Sequence, residues 1–183
     1  QCAACLRWAE WAYAGLNPGV LSINVSGVEF RRGRIEDTVR NALAASSLPP
    51  ELLELEITES AIMSQAEQSI EVLHHLRAMG IGLAIDDFGT GYSSLAYLKR
   101  LPLNKLKVDQ SFVRDLPGDL EDCAIVRAVI ALGHSLELKV IAEGVETADQ
   151  RWFLTSEGCD EMQGYLRGRP MPADDFRRLV LEA

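Results

Sequence analysis

The sequence predicts an α/β fold in which parallel strands form a TIM-like (β/α)8 barrel. Short apolar runs alternate six times with longer amphipathic stretches, and this pattern is typical of repeated strand–helix units that build a parallel sheet. Several of the strands also carry polar residues along one face. The strands of an open sheet covered by helices on both sides would instead be nearly continuous apolar runs. The combination favours a barrel with a polar lumen.

The predicted elements follow one another in a regular order. The apolar runs predict six strands, at Leu21–Val25, Leu53–Ile57, Ile81–Ile85, Leu106–Val108, Lys139–Ala142 and Met162–Leu166. Amphipathic periodicity predicts helices at Gln1–Gly15, Ile35–Ser47, Ala66–Met79, Ser93–Leu101, Asp122–Leu136, Thr147–Ser156 and Ala173–Leu181. Gly80 comes directly after the end of one of these helices and Gly158 two residues after the end of another, where glycine is common.

Alternation along the strands assigns each side chain to one of the two faces of the sheet. Asn24, Glu56 and Lys107 lie on the polar faces of three strands, between apolar neighbours. In (β/α)8 barrels the chemistry takes place at the C-terminal ends of the strands. Those ends carry Asn24, Glu56, Asp86, Asp109, Glu143 and Gln163.

The composition indicates one globular domain over residues 1–183. Of the 183 residues, 48% are hydrophobic and 25% are charged, and no apolar run is long enough to cross a membrane. The net charge of −9 disfavours binding to nucleic acid polymers or to anionic lipid. We therefore expect a cytoplasmic domain without membrane contact. Zinc binding by Cys2 and Cys5 is disfavoured because no second cysteine pair or nearby histidine completes a site.

Two adjacent carboxylates, Asp86 and Asp87, lie where an apolar strand meets the glycine-rich turn that begins at Phe88. Like charges in contact at this position either raise a pKa or need a counter-cation, and divalent ions are the commonest remedy. Asn24 and Glu56 from the two preceding strands add further oxygen donors, and a set without His or Cys favours Mg²⁺ or Mn²⁺ over zinc. Asp86 could bridge two ions roughly 3.5–4 Å apart, as in two-metal hydrolases.

Simpler roles are open for some of these residues. An acid at a strand end often caps the next helix, and capping alone would explain Glu59 before Ser60 or Asp109 before Ser111. Lys107 points into the same lumen, where an unpaired ammonium would be costly. Carboxylates or a bound phosphate would satisfy it.

Six motifs in order resemble the EAL-domain cyclic-di-GMP phosphodiesterases, and the resemblance covers essentially the whole chain. They are Ser22-Ile23-Asn24-Val25-Ser26, Glu56-Ile57-Thr58-Glu59, the run from Asp86 to Leu95, Lys107-Val108-Asp109, Glu143-Gly144-Val145-Glu146 and Gln163-Gly164-Tyr165. The resemblance implies a bacterial domain that hydrolyses cyclic di-GMP to linear pGpG with two Mg²⁺ or Mn²⁺ ions. It also implies fusion to upstream sensory or GGDEF domains, through which the full-length protein could be membrane-anchored, and a homodimer formed through the Asp86–Leu95 region.

The resemblance further implies a role for each matching residue. Asn24, Glu56 and Asp86 are expected to bind the first ion, and Asp86, Asp87 and Glu143 the second. Lys107, Asp87 and Glu143 are expected to act in catalysis, Lys107 by positioning the attacking water or neutralising charge. Substrate binding or support of the metal ligands is expected of Glu59, Asp109, Glu146 and Gln163.

One family feature is missing. The Glu-x-Leu motif that names the family lies on an early strand before the first helix, and this chain has no match for it. The resemblance therefore implies a barrel that lacks its first two strands and a first ion that lacks a ligand. We expect weak or no turnover from these 183 residues and metal-dependent turnover from an upstream-extended protein. The alternatives are an inactive EAL-like domain that serves as a cyclic-di-GMP receptor or protein-interaction module, and another two-metal phosphohydrolase.

Overall fold

The computed structural model describes residues 2–31, 33–91 and 95–181. The strands are β1 Leu21–Val25, β2 Leu53–Thr58, β3 Gly82–Phe88, β4 Lys105–Val108, β5 Lys139–Ala142 and β6 Glu161–Met162. The helices are α1 Cys2–Tyr13, α2 Gly27–Arg31, α3 Ile35–Ser46, α4 Glu59–Met63, α5 Ala66–Ala78, α6 Leu95–Leu98, α7 Gln110–Val113, α8 Leu120–Ser135, α9 Ala148–Ser156 and α10 Ala173–Leu181, with a 3-10 turn at Pro50–Leu52. Within these ranges, no helix is long and apolar enough to cross a membrane.

The six strands form one parallel sheet in sequence order, each paired with the next. This is the strand order of a (β/α)8 barrel, and it agrees with the predicted fold. Because the strands lie in register, their C-terminal ends come together, with Asn24 opposite Glu56 and Thr58 opposite Asp86. The described residues contain no pairing between β1 and β6, so the sheet is a curled, open barrel.

The two faces of the sheet divide as the alternation predicts. Leu55, Ile85 and Leu106 are no more than 2% exposed and join the core cluster that includes residues of the surrounding helices. The opposite face, which lines the lumen, carries Glu54, Glu56 and Lys107, also buried. Each lumen side chain is buried beside partners of opposite charge, and this limits the cost of removing charges from water.

A layer of ion pairs lies in the lower lumen. Ser22 donates to Glu54 at 2.9 Å, and Glu54 contacts the Lys105 ammonium at 3.3 Å. Lys105 reaches Glu161 of β6 at 3.1 Å, and Glu161 also contacts Lys139 at 3.3 Å. The layer therefore links β1, β2, β4, β5 and β6.

The predicted sixth strand, Met162–Leu166, is wrong, because β6 ends at Met162. Gln163 accepts a hydrogen bond from the backbone N–H of Val145, and the next residue, Gly164, lies directly against the Val145 backbone. A Cβ at position 164 would come within 2.2 Å of the Val145 carbonyl oxygen. The chain therefore turns towards the segment after β5 and does not extend the sheet.

Several short helices were not predicted. Helices α2, α4 and α7 each follow a strand directly and contain four or five residues. A single turn is too short to show a 3.6-residue period in sequence. The predicted helix Ser93–Leu101 is shorter than expected, because α6 covers Leu95–Leu98, and residues 93 and 94 lie outside the described ranges.

Helices α1 and α10 meet beside the open lumen. The rings of Trp8 and Phe176 stack with centroids 5.6 Å apart, and Trp11 lies 5.9 Å from Phe176. Arg7 and Asp174 form an ion pair at 3.3 Å between the same helices. Together with the lumen face, these helices border a cleft of about 1220 Å³.

Candidate metal centre

Four strands deliver charged side chains to one point in the upper lumen. The Lys107 ammonium of β4 lies 2.7 Å from Glu56 of β2, 3.0 Å from Asp86 of β3 and 2.6 Å from Glu143, which directly follows β5. Lys107 is 2% exposed, although an ammonium is strongly hydrated in water. Its three carboxylate contacts replace that hydration.

A β-bulge brings Asp86 and Asp87 into the site together. Ile85 pairs with Leu106 and Phe88 pairs with Val108, so two aspartates of β3 face one residue of β4. Asp87 has a φ of 54°, in the left-handed region that few residues other than glycine adopt. Because of the inserted residue, the Asp87 side chain is not sent to the helix-covered face that strict alternation would assign to it.

The bulge produces a set of carboxylates that fits a divalent cation. Ligand oxygens of Asp86, Asp87 and Glu143 all lie within 4.8 Å of one another. The donors are carboxylate oxygens, which Mg²⁺ and Mn²⁺ prefer. The backbone N–H of Asp87 donates to the Asp86 carboxylate at 3.1 Å, which fixes the orientation of that carboxylate.

The surplus of negative charge appears in the pKa values. Burial, together with the neighbouring charges of Asp86 and Asp109, raises the pKa of Asp87 above its ordinary value. Burial also raises the pKa of Glu143, even though Lys107 lies against it. Burial alone would lower the pKa of Lys107, but its hydrogen bonds to Glu143 and Glu56 outweigh burial and raise that pKa. Burial is thus the first cause of the two raised carboxyl pKa values, and the charges of neighbouring carboxylates add to it.

Asp109 has the capping role that the sequence left open for it. Its carboxylate caps α7 by accepting from the backbone N–H of Ser111 at 2.8 Å. It also shares a hydrogen bond with the Asp87 carboxyl. Burial would raise the pKa of Asp109, but the bonds from Ser111 outweigh it and lower the pKa. Asp109 thus ties the bulge to the end of β4.

Glu59 holds the loop that follows the two aspartates. It is 2% exposed in the first turn of α4, and its carboxylate accepts from the backbone N–H of Gly89 at 3.1 Å. Gly89 has a φ of 99°, and a Cβ there would come within 3.0 Å of the Phe112 ring. The hydrogen bond to Glu59 therefore fixes a turn in which a side chain at position 89 would have little room beside Phe112.

The remaining predicted residues lie at the rim of the site. Asn24 is exposed on the edge strand β1, opposite Glu56 in register. Gln163 is exposed at the cleft, and its backbone bridges Ala142 and the segment after β5. Glu146 is exposed, and its backbone N–H donates to Gln150 at 2.7 Å. Residues 92–94, within the motif that runs from Asp86 to Leu95, lie outside the described ranges.

Two groups near the site were not singled out from the sequence. Glu161 completes the lower ion-pair layer, and its place two residues before Gln163 on the same strand face could have indicated it. Phe176 joins the aromatic wall of the cleft. No local signal identifies Phe176, because its partners Trp8 and Trp11 lie at the other end of the chain.

Comparison with known families gives one decisive match. A sequence model described as the EAL domain matches residues 2–170. The chain belongs to the EAL domain family. The EAL domain described above is 50% identical over 173 residues to the bifunctional diguanylate cyclase/cyclic di-GMP phosphodiesterase MucR of Pseudomonas aeruginosa, covering 94% of this chain and 25% of MucR. It is 49% identical over 169 residues to the cyclic di-GMP phosphodiesterase NbdA of the same organism, covering 92% of this chain and 22% of NbdA. The chain thus spans about a quarter of the length of these curated relatives.

Solved structures show the same architecture. A structure of the MucR phosphodiesterase in complex with c-di-GMP superposes with a TM-score of 0.92 at 49% identity, covering 95% of this EAL domain and 70% of that chain. A manganese/cy-diGMP complex of Klebsiella pneumoniae BlrP1 superposes with a TM-score of 0.80 at 34% identity, covering 92% of this domain and 43% of that chain. The open six-stranded sheet is therefore part of a TIM-barrel-like EAL fold.

Proposed function

We propose that this EAL domain, a single domain over residues 1–183, hydrolyses cyclic di-GMP to linear pGpG with two Mg²⁺ or Mn²⁺ ions in the protein that carries its native flanking sequence. The observation that carries the proposal is the bulge, which places Asp86 and Asp87 within ligand distance of Glu143. The names of MucR and NbdA support the substrate, and the BlrP1 complex with manganese and cy-diGMP supports the cofactor.

The residues divide into two ligand sets. Asn24, Glu56 and Asp86 would hold the first ion, and Asp86, Asp87 and Glu143 the second. The register of β1, β2 and β3 supports the first set because it aligns the C-terminal ends of these strands. The ions would activate a water molecule and neutralise charge on the phosphoryl oxygens.

The protein groups around the ions orient the reaction. Lys107, directed at three carboxylates from its buried position, would lie close enough to hydrogen-bond the attacking water or a phosphoryl oxygen. The water oxygen would form a bond to phosphorus while the bond from phosphorus to the ribose 3′ oxygen breaks. The product then carries a 5′ phosphate and a 3′ hydroxyl. Glu59 and Asp109 would hold the bulge in place, Gln163 would hydrogen-bond at the rim, and Glu146 would support the loop after β3.

The setting of the domain is also proposed. MucR is named as bifunctional, and this supports fusion of the present domain to sensory or GGDEF domains. We place the domain in the cytoplasm, free of membrane and nucleic acid polymer contacts, and propose a homodimer through the Asp86–Leu95 region.

The test is Asp86→Asn in the protein with its native flanking sequence. Turnover of cyclic di-GMP in Mg²⁺ or Mn²⁺, followed by chromatography of pGpG, should fall by at least about 10²-fold, because the shared ligand loses its charge. Asp149→Asn, an exposed acid on α9, is the matched control and should retain activity. Calorimetry of nucleotide binding distinguishes the alternatives. Unchanged turnover in the Asp86 variant contradicts the two-metal assignment, and binding without turnover in the parent protein indicates a receptor.

A further inference from the structure

The Lys107 ammonium lies among the carboxylates that are proposed to bind the metal ions. Its nitrogen lies within 3.0 Å of Glu56, Asp86 and Glu143. The first two carboxylates belong to the proposed first-ion set, and Glu143 belongs to the second. One organic cation therefore contacts both sets at once.

A divalent ion cannot join this arrangement without changing it. An ion bound by Glu56 and Asp86 would lie a few ångströms from the Lys107 nitrogen, where two positive charges repel each other strongly. Lys107 is 2% exposed, so its side chain has no direct contact with solvent into which the charge could move. The ammonium and the ion must compete for the same carboxylate oxygens.

We propose that Lys107 is the counter-cation of the carboxylate cage formed by Glu56, Asp86 and Glu143 when no metal is bound. The first ion then binds by displacing the Lys107 ammonium from Glu56 and Asp86. The inference rests on the proposed function, because it takes these carboxylates to be metal ligands. The ammonium keeps its proton throughout and changes only its partners, since Glu143 remains within reach at 2.6 Å. Lys107 is thereby a positioning residue that sets the affinity for the ion.

The charge of Lys107 also explains how the cage stays assembled without metal. Carboxylates from β2, β3 and the end of β5 converge here, and without a cation they would repel one another. The ammonium holds them together at the cost of weaker ion binding. A site of this kind favours divalent over monovalent cations, because a singly charged ion gains little by replacing an ammonium.

The neighbouring residue Lys105 provides a matched control. It lies two residues earlier on β4, faces the same lumen and is 15% exposed in its side chain. Its partners are Glu54 and Glu161, neither of which belongs to the proposed ligand sets. Removing its charge changes the lumen without touching the cage.

The test measures Mn²⁺ binding without nucleotide, by the EPR signal of free Mn²⁺, in Lys107→Met, Lys105→Met and the parent protein. Lys107→Met should bind the first ion about ten-fold more tightly or better, because a positive charge within a few ångströms is gone. Lys105→Met should change the affinity by less than about three-fold, because its charge is balanced by Glu54 and Glu161. Unchanged or weaker binding by a folded Lys107→Met protein overturns the proposal.

A second measurement needs no variant that removes the charge. In parent protein with ¹⁵N-labelled lysine side chains, Mg²⁺ should shift one protected ammonium resonance, and this resonance should be absent in Lys107→Arg. A resonance that stays in place when the ion binds overturns the displacement. The two proposals fail differently. If Asp86→Asn abolishes Mn²⁺ binding but Lys107→Met does not strengthen it, only this inference fails; if the parent binds no Mn²⁺, both fail.

Discussion

Removing the Glu59 carboxylate should loosen the turn that follows the metal-binding bulge. Glu59 is 2% exposed, and it accepts the backbone N–H of Gly89 at 3.1 Å. In Glu59→Ala that N–H loses an ionised acceptor, which costs about 1.5–3 kcal/mol. The variant also loses one buried methylene group, worth about 0.8 kcal/mol. Together these predict a free energy of unfolding lower by roughly 2.3–3.8 kcal/mol.

A graded series separates the charge from the packing. Glu59→Gln keeps the methylene groups and one acceptor oxygen, so it should lose only about 1–1.5 kcal/mol, close to the difference between a charged and a neutral hydrogen bond. Thermal unfolding followed by circular dichroism should show the midpoint of Glu59→Ala lower by roughly 5–15 °C, at about 2–4 °C per kcal/mol for a chain of this size. The exposed residue Glu71 offers a control, and Glu71→Ala should fall within about 0.5 kcal/mol of the parent.

Hydrogen exchange tests the mechanism as well as the magnitude. The Gly89 amide should exchange faster in Glu59→Ala than in Glu71→Ala, because its acceptor is gone. Affinity for the second ion should fall in parallel, since the loosened turn carries Asp87, a ligand of the proposed second set. If the Gly89 amide is equally protected in both variants and their unfolding midpoints coincide, the assigned role of Glu59 is wrong.

Two further predictions follow from particular contacts. Gly164→Ala places a Cβ 2.2 Å from the carbonyl oxygen of Val145. This variant should lower the free energy of unfolding in urea by about 1–3 kcal/mol and should reduce turnover. In the control Gly168→Ala no atom lies within 4 Å of the added Cβ, so stability and turnover should both stay close to those of the parent. Burial would raise the pKa of Asp160, but bonds from a β5 backbone N–H and from the histidine of α8 outweigh it and lower the pKa. Asp160 therefore stabilises the fold above its unfolded pKa near 3.9 and loses this contribution as pH falls through its lower folded value. The stability gap between the parent and Asp160→Asn, about 1 kcal/mol at pH 7, should close as the pH falls through the lowered folded pKa of Asp160; a constant gap would show that the carboxylate charge is not its cause.

The regular part of the fold could be predicted because it depends on local periodicity. Strands β1 and β5 begin and end at the predicted residues, Leu21–Val25 and Lys139–Ala142. The lumen face was predicted as well, because alternation is a property of the extended backbone that each strand carries by itself. The prediction of the sixth strand was wrong because the end of that strand does not depend on local periodicity. Its end is set by the contact of Gly164 with Val145, which strand periodicity does not encode.

The candidate site could likewise be predicted where it depends on residue type and local position, but not where it depends on contacts between strands. In the sequence alone, the residue types and their positions at the ends of strands indicate oxygen ligands and a divalent ion. Strict alternation, however, could not place Asp87, because a bulge inserts one residue and resets the order of faces. The partners of Lys107 could not be read either, since they come from β2, β3 and the end of β5, up to 51 residues away in sequence.

The sequence by itself determined the parallel sheet, its polar lumen and the acidic residues at the ends of its strands, because these follow from backbone geometry and the chemistry of each side chain. Only the tertiary structure decided that Asp87 joins Asp86 through a bulge and that Lys107 occupies the cage formed by Glu56, Asp86 and Glu143. Those contacts depend on the register and curl of neighbouring strands, which fix distances between residues that are far apart in the chain.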